Sequence, residues 1–289
     1  MAENRKKIAV LSGKGGTGKT LVSVNLAATA GNSTYIDCDV EEPNGHLFFK
    51  PEICREYSVT VPIPVVDQES CDGCRICSDF CRFNALAYVK DKLLVFEEVC
   101  HSCGGCVLLC PQKALKEKEK PVGTVKEGFS GSVLVRSGIL NVGEASGVPV
   151  IQRLLELPEL EESRDGPIFI DCPPGSACIV MESIKDADFC LLVAEPTMFG
   201  VHNLNMVWEL VRVFKKPFGV VLNKCMRQEQ NPAETFCLEK KIPVLGRIPF
   251  DPEWGRLNAE GRIVAREKEE CQRLFASLLE TLMREGETV

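Results

Sequence analysis

The sequence predicts an α/β protein: a doubly wound, mainly parallel sheet into which a small α+β unit is spliced. Three observations carry that reading. Short apolar strands alternate with helical patterns on either side of a central stretch, a glycine-rich turn joins the first strand to the first helix, and a duplicated cysteine pattern interrupts the alternation.

With 289 residues, 45% hydrophobic and 26% charged, the chain can bury a sizeable core as one large domain with an insertion. Its net charge of −7 has the wrong sign for non-specific nucleic-acid binding. Sixteen cysteines are too many for structural coincidence. Met1 to Lys7 carries no apolar signal core, and no stretch reaches membrane-spanning length. A reducing cytoplasm is therefore expected, where clustered cysteines bind metal rather than form disulfides.

The apolar strand Ile8 to Leu11 leads into Gly13-Lys14-Gly15-Gly16-Thr17-Gly18-Lys19-Thr20, and the helical pattern Leu21 to Ala30 follows. This is the phosphate-binding pattern G-x-x-x-x-G-K-S/T. Its glycines let backbone N–H groups curl around phosphate oxygens, and the helix N-terminus adds its positive end. Lys19 can neutralise the β/γ charge of ATP, and Thr20 can ligate Mg²⁺. The next strand, Thr34 to Asp37, ends in Asp37-Cys38-Asp39.

At Val61-Pro62-Ile63-Pro64 the sheet pattern stops, to resume near Gly131 to Val135. The expected division is residues 1–60 and 121–289 for the nucleotide-binding domain and 61–120 for the insertion. Between them, Cys71, Cys74, Cys77 and Cys81 read C-x2-C-x2-C-x3-C, and so do Cys100, Cys103, Cys106 and Cys110, at a constant offset of 29. This is the bacterial-ferredoxin run, in which the fourth cysteine serves the other cluster. Two 4Fe–4S clusters are expected, one on Cys71, Cys74, Cys77 and Cys110, the other on Cys100, Cys103, Cys106 and Cys81. Two zinc sites are the alternative. Arg82 stands where the second run has Pro111, which should weaken the turn after Cys81. So short a segment cannot bury a core of its own, and the clusters are expected to supply one. Ala85 to Val89 and Lys92 to Phe96 read as a hairpin between the two cysteine loops.

Downstream, Leu134 to Gly138 is a strand and Val150 to Leu157 a helix. The buried strand Ile168 to Ile170 ends at Asp171, followed by Cys172-Pro173-Pro174-Gly175. Asp171 can hold the Mg²⁺ shell, and the Gly175 amide can sense the γ-phosphate. Phe189 to Val193, Phe218 to Leu222 and Val244 to Ile248 are further strands, with a helix over Val201 to Phe214. The last helix, Ile263 to Arg284, carries the apolar stripe Leu274, Phe275, Leu278, Leu279 and Leu282. Its many acidic residues favour packing on the domain over a membrane.

Lys14 makes the loop Lys-Gly-Gly-Thr-Gly-Lys-Thr, which resembles the deviant Walker A of the MinD, ParA, Mrp and nitrogenase-iron-protein ATPases. Asp37 to Asn44 resembles their D-x-D-x-x-x-P-N, Asp171 to Gly175 the Mrp-type D-x-P-P-G, and Glu195-Pro196-Thr197 their E-P-T loop. The resemblance implies a homodimer, or a heterodimer with a similar ATPase, formed on ATP binding. In it Lys14 reaches the partner's phosphates and Asp39 lies near the attacking water and the metal. It also implies that Asn223 and the Pro249-Phe250-Asp251 loop meet adenine. Cys178 lies at the offset of a dimer-bridging cluster ligand in the nitrogenase iron protein, but residues 143–147 offer no cysteine beside it. The implied function is an ATP-driven dimeric switch that couples nucleotide state to electron delivery to a redox partner or maturation target. A cluster carrier is one alternative, although the Mrp-type C-terminal C-x-x-C is missing; a spatial organiser of the ParA or MinD sort is the other.

Overall fold

The computed structural model describes residues 5–158, 166–226 and 231–285. Eleven strands are formed among them: β1 Lys7–Leu11, β2 Ser33–Asp37, β3 Glu52–Val66, β4 Leu86–Val89, β5 Lys92–Val95, β6 Leu115–Ser130, β7 Val133–Leu140, β8 Ile168–Asp171, β9 Phe189–Ala194, β10 Phe218–Cys225 and β11 Val244–Pro249. Nine of these make one sheet, in the order β11-β10-β9-β1-β8-β2-β7-β6-β3. From β11 to β7 every pairing is parallel. The mainly parallel, doubly wound sheet expected from the sequence is the fold of the chain.

Parallel strands covered on both faces read as unbroken apolar runs. In β9, Phe-Cys-Leu-Leu-Val-Ala, all six residues are buried. One face packs under the helices Val148–Glu156, Cys178–Ile184 and Met198–Val213, and the other under Lys19–Ala30 and Glu269–Glu285. The expected last helix is two, Val264–Glu267 and Glu269–Glu285, and Cys271, Phe275, Leu278 and Leu282 of the second are buried in the body. Among the described residues no helix is long and apolar enough to cross a membrane. Because β1 lies between β8 and β9, the chain winds away from it in both directions, and the loop after β1 sits where such sheets bind ligands.

Beyond β7 the sheet turns antiparallel, with β6 against β7 and β3 against β6 along almost their full lengths. The boundaries expected at 60/61 and 120/121 fall inside this ladder. Val59, Val61, Ile63, Val122 and Val125 remain in the body's core, so both strands continue the main sheet. Pro62 and Pro64 are tolerated because β3 is the edge strand, where a missing N–H costs no ladder bond on the open side. The chain leaves this sheet only for residues 67–114. Those form the β4–β5 hairpin and the one-turn helices Ile76–Phe80 and Gly105–Leu108, around a small cluster of Cys77, Leu86, Leu93, Cys106 and Leu115.

Candidate functional site

The loop after β1 borders a cavity of about 460 Å³. Gly15, Gly16, Gly18, Lys14, Lys19 and Thr20 form its floor. Two glycines are required sterically. A Cβ on Gly13 would fall on the backbone of Asn203, and Gly18, at φ +92°, would drive one into the Asn223 amide. Thr17 is buried, and its Oγ1 has no hydrogen-bond partner among the described residues.

Lys19 is 6% exposed and pairs with Oδ1 of Asp171, which is wholly buried. The other oxygen, Oδ2, accepts from the Tyr35 hydroxyl at 2.8 Å. Burial, the largest single influence, would lower the Lys19 pKa, but the charge and hydrogen bond of Asp171 together with the charges of Asp37 and Asp39 outweigh it, and the ammonium is held above its ordinary range. Asp37 lies opposite Asp171 across the β2–β8 pair. It accepts from the backbone N–H groups of Asp39, Asn44 and Gly45 at 3.2, 3.0 and 2.8 Å, and so folds the loop that carries Asp39. Burial, and then Asp171, push its carboxyl up to about 7. Asp39 lines the cavity; burial raises its pKa and Lys19 partly opposes this. Thr20 and Asp39 are thus hard oxygen donors at the cavity wall, a set that fits Mg²⁺, while Asp171 stands behind Lys19.

Two loop contacts hold the site in its present form. Glu195 takes Lys14 Nζ on one oxygen at 2.8 Å and Lys224 Nζ on the other at 2.5 Å, and Lys224 also donates to the Gly16 carbonyl at 2.7 Å. Lys14 further lies over the Phe199 ring, 5.0 Å from its centroid. The Gly175 N–H, at φ +94°, donates to the Ser12 carbonyl at 2.9 Å, so it is engaged with the end of β1 rather than turned into the cavity.

Beside Gly18, Asn223 donates to the Thr17 carbonyl at 2.7 Å, which ties β10 to the loop. Pro249, Phe250 and Asp251 line the wall. Asp251 caps the helix Pro252–Ala259 with Oδ1, which accepts from the Glu253 and Trp254 amides at 2.8 and 3.1 Å. Phe48, Trp254 and Asn258 join this wall and escaped the sequence reading. The signal available for the last two was the face i, i+3, i+7 after the helix-capping Asp251.

Each cysteine quartet expected from the sequence surrounds its own cavity. Cys71, Cys74, Cys77 and Cys110 ring one; Cys81, Cys100, Cys103 and Cys106 ring the other. The backbone repeats as the sequence does, at an offset of 29: φ is positive at Gly73 and Ser102, Arg75 and Gly104, and Asn84 and Lys113. The Ala85 and Ala114 amides donate to the Cys81 and Cys110 sulfurs at 3.4 and 3.3 Å. The turn after Cys81 keeps its form despite Arg82, since Asn84 N–H meets the Cys81 carbonyl just as Lys113 N–H meets that of Cys110. Four soft donors around one hollow, with amides on the sulfurs, suit an anionic iron–sulfur group. Among the described residues no three such side chains close around a single ion. Cys178 is exposed at the start of its helix.

Known proteins resemble the chain as a whole and in part. Residues 8–264 match the model of the CobQ/CobB/MinD/ParA nucleotide binding domain. A relative in Methanocaldococcus jannaschii, an uncharacterized protein, is 32% identical over 221 residues, 75% of this chain and 78% of that one. An uncharacterized ferredoxin of the same organism is 38% identical over 55 residues, 18% of this chain and 71% of its own length. The fold resembles that of the septum site-determining protein MinD complexed with Mg-ADP from Pyrococcus horikoshii, with a TM-score of 0.60, 18% identity, and 96% of this chain and 95% of the other covered. The chain belongs to the CobQ/CobB/MinD/ParA nucleotide-binding family, and a part of it is similar to a ferredoxin.

Proposed function

We propose that the protein is a dimeric switch that couples ATP binding and hydrolysis to electron delivery to a redox partner protein, through two 4Fe–4S clusters carried by residues 67–114. When bound, the clusters supply one-electron chemistry. The residues of the chain supply the coupling. Lys19 and the loop amides take the phosphates, Thr20 and Asp39 the Mg²⁺ and its water shell, Asp171 joins that shell once Lys19 has turned from it to the phosphates, and Asp39 orients the attacking water. Asn223 and the wall Pro249 to Asp251 take the adenine end. Lys14 leaves Glu195 to reach the phosphates of a second ATPase subunit, like or unlike, and the Gly175 amide leaves Ser12 for the γ-phosphate.

One observation carries the coupling: an unbroken line of contacts from Asp39 to Cys100. Val40 is 1% exposed, its carbonyl accepts from Leu140 N–H at 2.8 Å, and it packs on Gly138 and Gly147 so closely that a Cβ at either would strike its methyls. Glycines 138 and 147 bracket the turn that carries Glu144. Glu144 pairs with Lys120 at 2.8 Å, and Lys120 also donates to the Glu97 carbonyl at 3.2 Å. That same carbonyl accepts the Cys100 N–H at 3.4 Å, and Cys100 itself packs against the body's core. A shift of the Asp39 loop on hydrolysis therefore has a mechanical route to the second quartet.

The test is anaerobic EPR on the reduced protein, with iron and sulfide analysis, under ADP and then a non-hydrolysable ATP analogue. About eight irons per chain, with signals that move between the nucleotides and stop moving in Glu144→Gln, is the expected result. About eight irons with no nucleotide response would overturn the coupling. Iron lost readily to an apo-acceptor would favour a cluster carrier instead.

A further inference from the structure

The two cysteine cavities repeat one another at the offset of 29, but the repeated contacts carry different chemistry. Beside the first quartet Asp72 accepts from the Gln112 amide at 3.0 Å. At the matching places beside the second, His101 stacks on Phe83 with ring centroids 3.9 Å apart. In the first unit the Arg75 guanidinium lies over the Tyr88 ring, 5.3 Å from its centroid. Its counterparts in the second are Gly104 and Glu117, and Glu117 Oε1 lies 3.4 Å from where a Cβ on Gly104 would stand. These residues line the cavities, four to each. The first cavity thus has a carboxylate and a guanidinium, whose charges cancel. The second has the carboxylate of Glu117, which has no hydrogen bond or ion pair among the described residues. Where imidazole is uncharged, the second cavity is therefore the more negative by one charge. It is also the more apolar, with Pro62, Pro64 and Phe80 in its wall beside Phe83. Amide hydrogen bonds to sulfur do not separate the two, at 3.4 Å to Cys81 and 3.3 Å to Cys110.

We propose that the two clusters are unequal in potential, with the one on Cys81, Cys100, Cys103 and Cys106 the harder to reduce, and that Glu117 and Arg75 set the difference. Reduction adds a negative charge to a group that is already anionic. The Glu117 carboxylate and the apolar wall resist it at the second quartet, and the Arg75 guanidinium assists it at the first. An electron supplied by a one-electron donor therefore comes to rest on the first: the second cluster is oxidised by one electron as the first is reduced by one, with no proton or other reactant. The second cavity takes Pro62, Pro64 and Glu117 from the main sheet, and Cys100 packs on the body's core, whereas the first takes Leu115 alone from outside the insert. The electron is thus directed away from the body, and the first quartet is the exit to an acceptor. The inference rests on the two-cluster reading above, not on its coupling to nucleotide.

The experiment is an anaerobic redox titration of the full protein at pH 8, where imidazole is uncharged, followed by EPR and iron analysis. At one electron per protein, one set of g-values should dominate by roughly tenfold, about 59 mV for a one-electron couple. Two equal sets in native protein with about eight irons would overturn the proposal. This reading is independent of repulsion between two reduced clusters, which acts only at the second electron. Glu117→Gln should raise the lower potential, leave the upper one in place and bring up the second set of g-values. Arg75→Gln should lower the upper potential and leave the lower one in place, and Glu117→Asp should keep the native pattern. Both side chains are exposed, so the variants should retain their iron. Potentials that neither variant moves, or a Glu117→Gln shift confined to the upper potential, would also overturn the proposal. Native iron well short of eight would overturn the two-cluster reading and this inference together.

Discussion

The body and the insert are built on opposite principles. Around β1, β8 and β9 the sheet carries two large side-chain cores, with Tyr35, Phe169, Phe189 and Phe275 wholly or almost wholly buried. Residues 67–114 share a small core with Leu115 of β6, to which they contribute four buried side chains, and two of these are the cysteines Cys77 and Cys106. The body buries enough apolar surface to hold itself, whereas the insert must be held by what its cysteines bind. The hairpin β4–β5 and two one-turn helices leave Leu94, Phe96, Leu108 and Leu109 exposed, as expected where metal replaces a hydrophobic interior.

The sharpest way to break that contrast is to remove iron. Structural metal sites in small domains contribute on the order of 10 kcal/mol to folding. After anaerobic chelation, hydrogen exchange across 67–114 should rise to the level of an unfolded chain, while β1, β8 and β9 keep their protection. Protection of the insert without iron would show that its few apolar residues suffice. Less costly, but still large, is Asp39→Ala. No hydrogen bond or ion pair to the Asp39 carboxylate occurs among the described residues, since the loop is folded by the Asp39 N–H on Asp37. The variant should therefore keep its melting temperature and iron content and lose roughly 100-fold or more of its ATPase rate, about 2.7 kcal/mol of barrier. Size-exclusion chromatography with ATP should show a trapped dimer; ATP-bound monomers would sink the dimeric scheme.

What could be read from the sequence was what lies together along the chain. The phosphate loop, the Asp171 turn and the two cysteine runs each need only neighbours to be recognised, and the ferredoxin run puts each fourth cysteine with the other trio, as the two cavities have them. What could not be read comes from the topology. Tyr35 meets Asp171 across 136 positions, and Lys19 meets it across 152. Phe48, Trp254 and Asn258 become cavity residues only because the fold sets them beside a loop far from the latter two along the chain. The long strands β3 and β6 were hidden for a different reason. Lys116 to Lys120 alternates only in charge, with no apolar face to give a strand period, and its partner contains Pro62 and Pro64. Their pairing is fixed by the body beneath them.

The smallest expected effect tests whether burial, rather than ion pairing, holds the body together. Glu195 joins Lys14 and Lys224 at the cavity edge. Burial would raise its carboxyl, but the hydrogen bonds and charges of the two lysines outweigh this and hold it below the ordinary 4.5. A carboxylate depressed in the folded state adds stability above its unfolded pKa, and that contribution is lost as pH falls through the folded value. Acidification below about 4.5 should therefore erode this contribution, and Glu195→Gln should flatten that part of the stability–pH curve. Because water screens the lysines, the neutral-pH cost should be under about 1 kcal/mol, a shift of only a few degrees in melting temperature. A loss several times larger would mean that the Glu195 triad, and not the apolar interior, fastens the phosphate loop to β9 and β10, and the contrast between body and insert would then be one of degree.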